Sequence, residues 1–463
     1  MAMREEAVVI VKKLREAGHL AYFVGGCVRD LVMGHPPTDY DIATSATPAE
    51  VMTLFPQSLA VGAQYGVVIV PQSRHFYEVA TFRSDGTYSD GRHPDRVTYT
   101  NDPRLDVKRR DFTINGLLFD PLEGIVLDYV NGQADIRSGI IRTIGNPEQR
   151  FLEDKLRLIR AVRFASRFNY CLENFTLEAV HRLGGSIAQV SHERVRDEII
   201  KLLTRGYAAK GISLLDNCGL LHFILPEVAA LRGVPQPPEF HPEGDVWTHT
   251  LLMLQLMDQK HCEEMKTTVA DSGTCLPIEG SAVSGHYPSV NLAMGVLLHD
   301  IGKPPTLQSV DRIRFNNHSE VGARMAATIC ERLRFTSKQT EQITGLIRDH
   351  LKFKDLPRMR PSTLKRFLRR ENFEEHLELH RLDCLGSHRN LKTWKLTIEK
   401  LEALKPEEIR PKPLISGDDL IRLGYKPGPV FKKILKTVED AQLDNQVQTP
   451  EAAEDFVLSH FPR

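Results

Sequence analysis

Within residues 23–42 the chain carries a Gly-Gly turn, an arginine three residues on, and two aspartates separated by one residue. They read Phe23-Val24-Gly25-Gly26-Cys27-Val28-Arg29-Asp30 and Thr38-Asp39-Tyr40-Asp41-Ile42. On a β-strand, positions i and i+2 face the same side, so this spacing aims Asp39 and Asp41 at one small volume. Two like charges that close repel, and burial would protonate one of them unless a cation neutralises the pair. Mg²⁺ meets that demand: it prefers hard oxygen ligands and keeps positions open for substrate phosphates. The Gly25-Gly26 turn leads into a helical run, Cys27–Met33, whose first backbone N–H groups suit a triphosphate. Arg29 lies one turn along, where a guanidinium pairs with phosphate. Together these features predict a head built for nucleotidyl transfer.

The rest of the composition narrows the class. A chain of 463 residues has room for two to four domains. Sixty Lys+Arg balance sixty Asp+Glu, so no global basic field draws nucleic acid, and any RNA contact falls to local patches. The seven cysteines (27, 171, 218, 262, 275, 330 and 384) are scattered and form no C-x-x-C, which fits a reducing cytoplasm without a cysteine zinc site. The N-terminus reads as an amphipathic helix (Ala7, Val8, Ile10, Val11, Leu14) rather than a signal peptide, with Gly18 as its stop. No apolar run approaches the ~20 residues of a membrane span, so a cytoplasmic protein without membrane contact is expected.

Four regions are expected. Residues 1–140 form an α/β head with a mixed sheet, whose β-rich runs are Val67–Val70, Tyr77–Phe82, Val97–Tyr99 and Ile125–Val130. Between them Arg83–Asp95 is polar and Gly-rich, a loop. Strands largely disappear after Pro147, and residues 141–235 read as a helical neck and body with amphipathic helices over Phe151–Phe168 and Val195–Leu203. Pro235-Gln236-Pro237-Pro238 is a boundary. Residues 236–405 are a His-rich helical domain, interrupted at 260–290 by a Ser/Gly/Thr-rich stretch without periodicity that reads as a disordered insertion. Residues 406–463 form a tail with one or two short helices. The fold class is α+β, multidomain.

In the head, the pattern places Glu78 on a strand, where it offers a third carboxylate beside Asp39 and Asp41. Arg109-Arg110-Asp111 packs two cations against an apolar run, with Asp111 placed to position Arg110 for phosphate or ribose. The implied reaction is attack by a nucleic-acid 3′-hydroxyl on the α-phosphorus of a nucleoside triphosphate, with two metals about 3.5–4 Å apart. Positioning and charge neutralisation dominate such chemistry.

Several segments carry a resemblance: FVGGCVRD (23–30), TDYDIATSATPAEVMTLFP (38–56), TFRSDGTYSDGRHPDRV (81–97), RRDFTINGL (109–117), EDKLRLIRAVRFASRF (153–168) and a tail segment at 416–447. In them the chain closely resembles the class II tRNA nucleotidyltransferases, the CCA-adding enzymes. The resemblance implies template-free addition of C, C and A to the tRNA 3′ acceptor end from CTP and ATP, with no DNA partner. It places the base-selecting pair at Asp154 and Arg157. On one helix face, a carboxylate there would accept from an exocyclic amine and a guanidinium would donate to the adjacent ring nitrogen. Cytosine and adenine share that pattern, whereas uracil and guanine would leave polar groups unpaired at roughly 1–3 kcal/mol each. Arg160 and Arg163 extend the stripe toward triphosphate or base. Relatives that add only C lack much of the Arg83–Asp95 loop. Its presence here, with Asp85, Tyr88, Asp90, Arg92, His93 and Pro94, argues for adding A at least, and leaves A-only addition open.

The run Gly295-Val-Leu-Leu-His299-Asp300-Ile-Gly-Lys303 resembles the core of an HD phosphohydrolase domain. His249, His318, His350 and Asp383 complete the family's ordered ligand set, an N/O site suited to a divalent transition metal or Mg²⁺. Hydrolysis of 2′,3′-cyclic phosphates and 2′-phosphates is what that resemblance implies. His241, His261, His286, His376 and His380 fit no such order and receive no role. A tRNA-binding surface is expected between Arg348 and Arg370, where nine Lys/Arg stand against two Asp. Three alternatives stay open: an A-adding partner of a CC-adding enzyme, a poly(A) polymerase, and an HD phosphohydrolase whose head merely binds nucleotide or RNA.

Overall fold

The computed structural model describes residues 2–61, 65–88, 91, 94–272, 288–309 and 311–462. The chain is an α+β protein of two compact units, Met1–Pro226 and Glu227–Arg463.

The first unit opens with α1 (Met3–Glu16), which buries Ala7, Ile10, Val11 and Leu14 and ends before Gly18 at φ +88°. It leads to β1 (Ala21–Val24), α2 (Gly26–Val32), β2 (Asp41–Thr44), α3 (Pro48–Leu54), β3 (Val67–Gln72) and β4 (His75–Thr81). After these come β5 (Arg83–Asp85), β6 (Val97–Tyr99), α4 (Pro103–Lys108), β7 (Leu117–Asp120) and β8 (Ile125–Asp128). Six strands make one mixed sheet in the order β3-β4-β2-β1-β7-β8. Strands β2 and β4 run parallel, and the other neighbouring pairs are antiparallel. The crossover from β2 to β4 by way of α3 starts cleanly because Thr47 and Glu50 form a capping box with Pro48 in the first turn. Buried Glu6 accepts from the Tyr77 hydroxyl at 2.9 Å and meets His75 Nδ1 at 2.9 Å, fastening α1 to the β3–β4 hairpin.

Two local expectations change. The start of the Arg83–Asp95 loop is β5, paired antiparallel with β6 through Arg83–Tyr99 and Asp85–Val97. The helix expected over Phe151–Phe168 is two helices, α6 (Pro147–Glu153) and α7 (Arg157–Phe168), following α5 (Gly132–Ser138). Asp154 breaks it with extended backbone (φ −145°, ψ 103°), and its Oδ1 accepts from the Leu156 N–H at 3.1 Å. An aspartate that can cap the next turn competes with helix continuation, and helical periodicity does not see this. Helices α8 (Asn174–Leu183) and α9 (His192–Leu203) pack next along this unit.

The second unit is almost wholly helical. The helix Val246–Ser272 runs into the segment expected to be a disordered insertion, so its first part is helical; residues 273–287 lie outside the described residues. Helices Val290–Leu298, His318–Arg332, Ser337–Asp349 and Phe373–Gly386 surround the histidine cluster. Among the described residues the tail holds four helices rather than the one or two expected, Pro406–Ile409, Gly417–Arg422, Pro429–Leu443 and Pro450–His460, and the last three build a small core from Leu420, Ile434, Val438, Ala453 and Val457 together with Ile415.

Candidate functional sites

The head site forms where β1 ends and β2 begins. Gly25 sits at φ +76°, a left-handed conformation that glycine adopts without penalty, and it turns the chain into α2. A Cβ on Gly25 would lie 3.5 Å from Arg110 Nη1, and one on Gly26 would lie 3.6 Å from Arg29 Nη2, so both guanidinium groups lie against the turn. Asp41 is the first residue of β2, but Asp39 precedes the strand and is exposed. The two carboxylates are therefore joined by a loop–strand junction rather than by strand alternation. Glu78 comes in from the neighbouring strand, since one step before the Ile42–Val79 pair of the parallel ladder puts it beside Asp41. Burial, then the charges of Asp39 and Glu78, push the Asp41 carboxyl up to about 7, with Arg110 opposing. Such a group needs a cation if it is to be ionised at neutral pH.

The arginines behind this cluster are held in ways the sequence did not disclose. Arg110 donates through Nε and Nη2 to Asp106, which is fully buried and also takes Arg109 at 2.7 Å. Asp111 does not position Arg110. It accepts from Arg160, at 3.0 and 2.6 Å, and from Asn115. The Arg160 guanidinium and these hydrogen bonds outweigh burial and hold the Asp111 carboxyl at about 2. Arg29 is buried, donating to Asn115 at 2.7 Å and to Asp30 at 2.7 and 2.9 Å, with its guanidinium over Phe168. Arg163 turns inward onto buried Glu198 at 2.5 Å.

Asp154 and Arg157 flank the α6–α7 break instead of sharing a helix face. Asp154 takes both terminal nitrogens of Arg194, on α9, at 3.1 and 2.8 Å. Arg157 donates to Glu153 at 2.7 Å and to the carbonyls of Arg150 and Arg109. In the adjoining loop Tyr88 donates to Asp85 at 2.6 Å, while Asp90, Arg92 and His93 lie outside the described residues. Sequence reasoning missed Asp106, Asn115, Arg194 and Glu198. Only Asp106 left a signal, lying three and four residues before the arginines it holds.

In the second unit the structure brings together all six expected ligands, in two trios with ligand atoms within 4.8 Å: His249, His299 and Asp383, and Asp300, His318 and His350. His299, His318 and His350 each give Nδ1–H to the carbonyl three residues earlier (Val296 at 2.9, Phe315 at 2.9 and Ile347 at 2.6 Å), so Nε2 carries the lone pair. The Nε2 atoms of His318 and His350 then face each other at 3.4 Å, with Asp300 Oδ1 3.5 and 4.0 Å away. Burial, then the charge of His299, pushes His350 down to about 3. The Nε2 atoms of His249 and His299 are buried and face carboxylate oxygens, Asp383 Oδ1 at 3.3 Å and Asp300 Oδ2 at 3.1 Å. Buried imidazole nitrogens and carboxylate oxygens converging at this spacing are the donor set of a cation site. Lys303 Nζ, 2.7 Å from Asp300 Oδ2, supplies the only nearby ammonium charge among the described residues. Burial disfavours charge on His249, but the carboxylates of Asp383 and Glu243 on either side raise it to about 9. His241 and Glu243, given no role by the sequence, also meet here, at 2.9 Å.

The expected basic surface is largely spent within its own unit. Arg370 and Lys352 pair with buried Asp349, Arg369 and Arg366 with Glu439, and buried Lys365 donates to the Leu443 carbonyl. Lys354, Arg358 and Arg360 remain exposed. Among the described residues no helix is long and apolar enough to cross a membrane.

Comparison with known proteins adds a second line. The chain matches the family models of the poly A polymerase head domain over residues 21–142, the probable RNA and SrmB-binding site of polymerase A over 169–231, and the HD domain over 246–381. It is 44% identical over 216 residues to the CCA-adding enzyme of Geobacillus stearothermophilus, a match covering 47% of this chain and 53% of that protein. It is 33% identical over 321 residues to the CCA-adding enzyme of Lactobacillus gasseri, covering 64% of this chain and 79% of that one. The chain thus spans about half the length of the first of these relatives and four-fifths of the second. The crystal structure of the Bacillus stearothermophilus CCA-adding enzyme in complex with CTP matches with a TM-score of 0.70 at 26% identity, over 99% of this chain and 98% of that one.

Proposed function

This chain belongs to the CCA-adding enzyme family, and from that premise we propose that it is a cytoplasmic nucleotidyltransferase adding C, C and A to tRNA 3′ ends from CTP and ATP. The observation that carries the reading is the acidic corner of the head: Asp41, raised to about 7 by burial and by Asp39 and Glu78, beside a Gly-Gly turn lined by arginine. Asp39, Asp41 and Glu78 would hold Mg²⁺, whose chemistry is to lower the pKa of the attacking hydroxyl and offset charge on the leaving pyrophosphate. The Gly25 N–H is donated to the Leu117 carbonyl at 3.4 Å, so Gly26, at the start of α2, presents its backbone N–H to the triphosphate, and Arg110, braced by Asp106, supplies positive charge over the turn. Arg29 supports the same turn from below through its bonds to Asn115 and Asp30.

Asp154 and Arg157 select the base. Two of the four lone-pair sites on Asp154 serve Arg194 and one serves the Leu156 N–H, which leaves one on Oδ2 for an exocyclic amine. Among the described residues the Nε–H and one Nη2–H of Arg157 stay uncommitted, enough to donate to a ring nitrogen. Arg160 and Arg163 act through Asp111 and Glu198, holding α7 in register rather than touching substrate. The test uses three tRNA transcripts, ending at the discriminator base, after C and after CC, each with Mg²⁺ and CTP, ATP or both. Growth of all three to a full CCA end is expected. Extension of only the CC-ended transcript by one A would make this an A-adding enzyme, and long A tracts on unstructured RNA would make it a poly(A) polymerase.

The converging ligand atoms of the second unit favour a second activity, hydrolysis of 2′,3′-cyclic phosphates at a centre holding Mg²⁺ or a divalent transition metal. Release of 2′-phosphate or 3′-phosphate ends from a cyclic-phosphate RNA, lost in Asp300→Ala while CCA addition persists, is the expected result. CCA addition with no hydrolysis under Mn²⁺, Ni²⁺ or Mg²⁺ would remove this activity from the reading.

A further inference from the structure

The segment His241-Pro242-Glu243-Gly244-Asp245 runs into the helix that carries His249, and its three ionisable side chains belong to none of the six expected ligands. Glu243 is nearly buried. Its Oε1 accepts from His249 Nδ1 at 2.7 Å and from His241 Nδ1 at 2.9 Å, while its Oε2 is buried and has no partner. This sets His249 apart from the rest of the centre. His299, His318 and His350 bond backbone carbonyls through Nδ1, but His249 bonds a carboxylate, with the Gly386 carbonyl farther off at 3.3 Å.

We propose that Glu243 is a positioning residue that makes the His249–His299–Asp383 trio the tighter of two cation subsites, with His241 holding Glu243 in place. The inference rests on reading the second unit as a metal centre. A carboxylate behind an imidazole fixes which nitrogen faces the metal and raises that nitrogen's basicity through the ring. A carbonyl dipole does the same more weakly, so the Asp300–His318–His350 trio receives less of this help. The pair of contacts also sets the direction of His249. With Nδ1 tied to Glu243, Nε2 points to Asp383 Oδ1, 3.3 Å away. The three ligand atoms of His241, Glu243 and His249 also lie within metal-ligand spacing of one another. Both imidazoles, however, share a single oxygen at hydrogen-bond distance, and the Lys303 charge already bears on His241, which disfavours a cation there.

The test takes as its wild-type reference the full-length protein with Asp39→Asn and Asp41→Asn, so that the head's own cation site drops out of the count, strips it of metal and titrates it with Co²⁺ or Mn²⁺. Equilibrium dialysis with metal analysis gives the number and affinity of sites, and the visible Co²⁺ spectrum gives ligand geometry. The wild type should bind two equivalents with distinct affinities. Glu243→Gln should weaken the tighter site by about 10–100-fold and shift its Co²⁺ bands, leaving the weaker site unchanged. His241→Ala should weaken the same site by less, and Glu243→Asp, which keeps the charge, should recover part of the loss. Thermal unfolding of each variant reports whether it is folded, and Glu243→Asp carries the comparison if Glu243→Gln is not. Unchanged affinities in folded Glu243→Gln would overturn the positioning role and leave the metal centre standing. Three equivalents in the wild type, falling to two in Glu243→Gln, would make this trio a cation site and overturn the proposal. No metal bound by the wild type would remove the centre itself.

Discussion

Asp41 is the residue where the head's chemistry and its stability meet. Its folded-state carboxyl is raised to about 7, so between its ordinary value near 4 and pH 7 the folded protein binds more protons than the unfolded chain. Stability of the metal-free first unit should therefore fall as pH rises through that window. Mg²⁺ should restore it, and most strongly above pH 7, where no proton competes. Thermal melts in EDTA and in Mg²⁺ from pH 5 to 8 measure this. A flat metal-free profile would count against Asp41, and Asp41→Asn should flatten the profile while lowering nucleotide addition by about 10³-fold or more, ~4 kcal/mol of barrier. Glu198 makes the opposite kind of contribution. It and Arg163 are both buried, so Glu198→Gln strands a guanidinium and should cost about 3–5 kcal/mol in denaturant unfolding, well before any effect on base choice.

At the scale of elements, the turn after His299-Asp300 is set by a close approach of backbones. A Cβ on Gly302 would lie 2.1 Å from the His318 carbonyl oxygen and 2.6 Å from the Gly322 nitrogen, atoms of a helix that cannot yield as a flexible side chain would. Gly302→Ala should push the helix His318–Arg332 away from Asp300, lowering metal content together with stability. Metal analysis on the purified variant checks this, and a full metal complement would show that the helix position is not limiting. The α6–α7 break shows the same dependence on local competition. The apolar periodicity over Phe151–Phe168 is real, and α7 keeps it. Asp154 interrupts it because its side chain caps a new turn and binds Arg194, a partner forty residues away.

Across the molecule, charge that looks available in a linear count is mostly engaged. Of the basic residues from Arg348 to Arg370, Lys365, Arg366, Arg369 and Arg370 are tied to Leu443, Glu439 and Asp349, which links the tail helices to their own unit. Reversing Lys354, Arg358 and Arg360 to Glu should weaken tRNA binding and flatten its log–log salt slope by about 3 at most, without loss of stability. Arg366→Glu should instead lower the unfolding temperature. Filter binding at several salt concentrations and thermal melts separate the two, and equal effects on both would contradict the division.

The linear order of residues determined the mixed α/β head, the helical remainder and the set of chemical groups. Residue type, spacing and periodicity are local properties, and the Gly-Gly turn, the Asp-x-Asp pair and the ordered histidines write their chemistry into short segments. Tertiary structure decided how those groups are paired. Asp111 serves Arg160 rather than its neighbour Arg110, Asp154 faces Arg194, and Glu243 stands behind His249. The reason is physical. A buried charge must find an opposite charge or a donor wherever the fold brings one near, and burial depends on the whole packing rather than on any window of sequence.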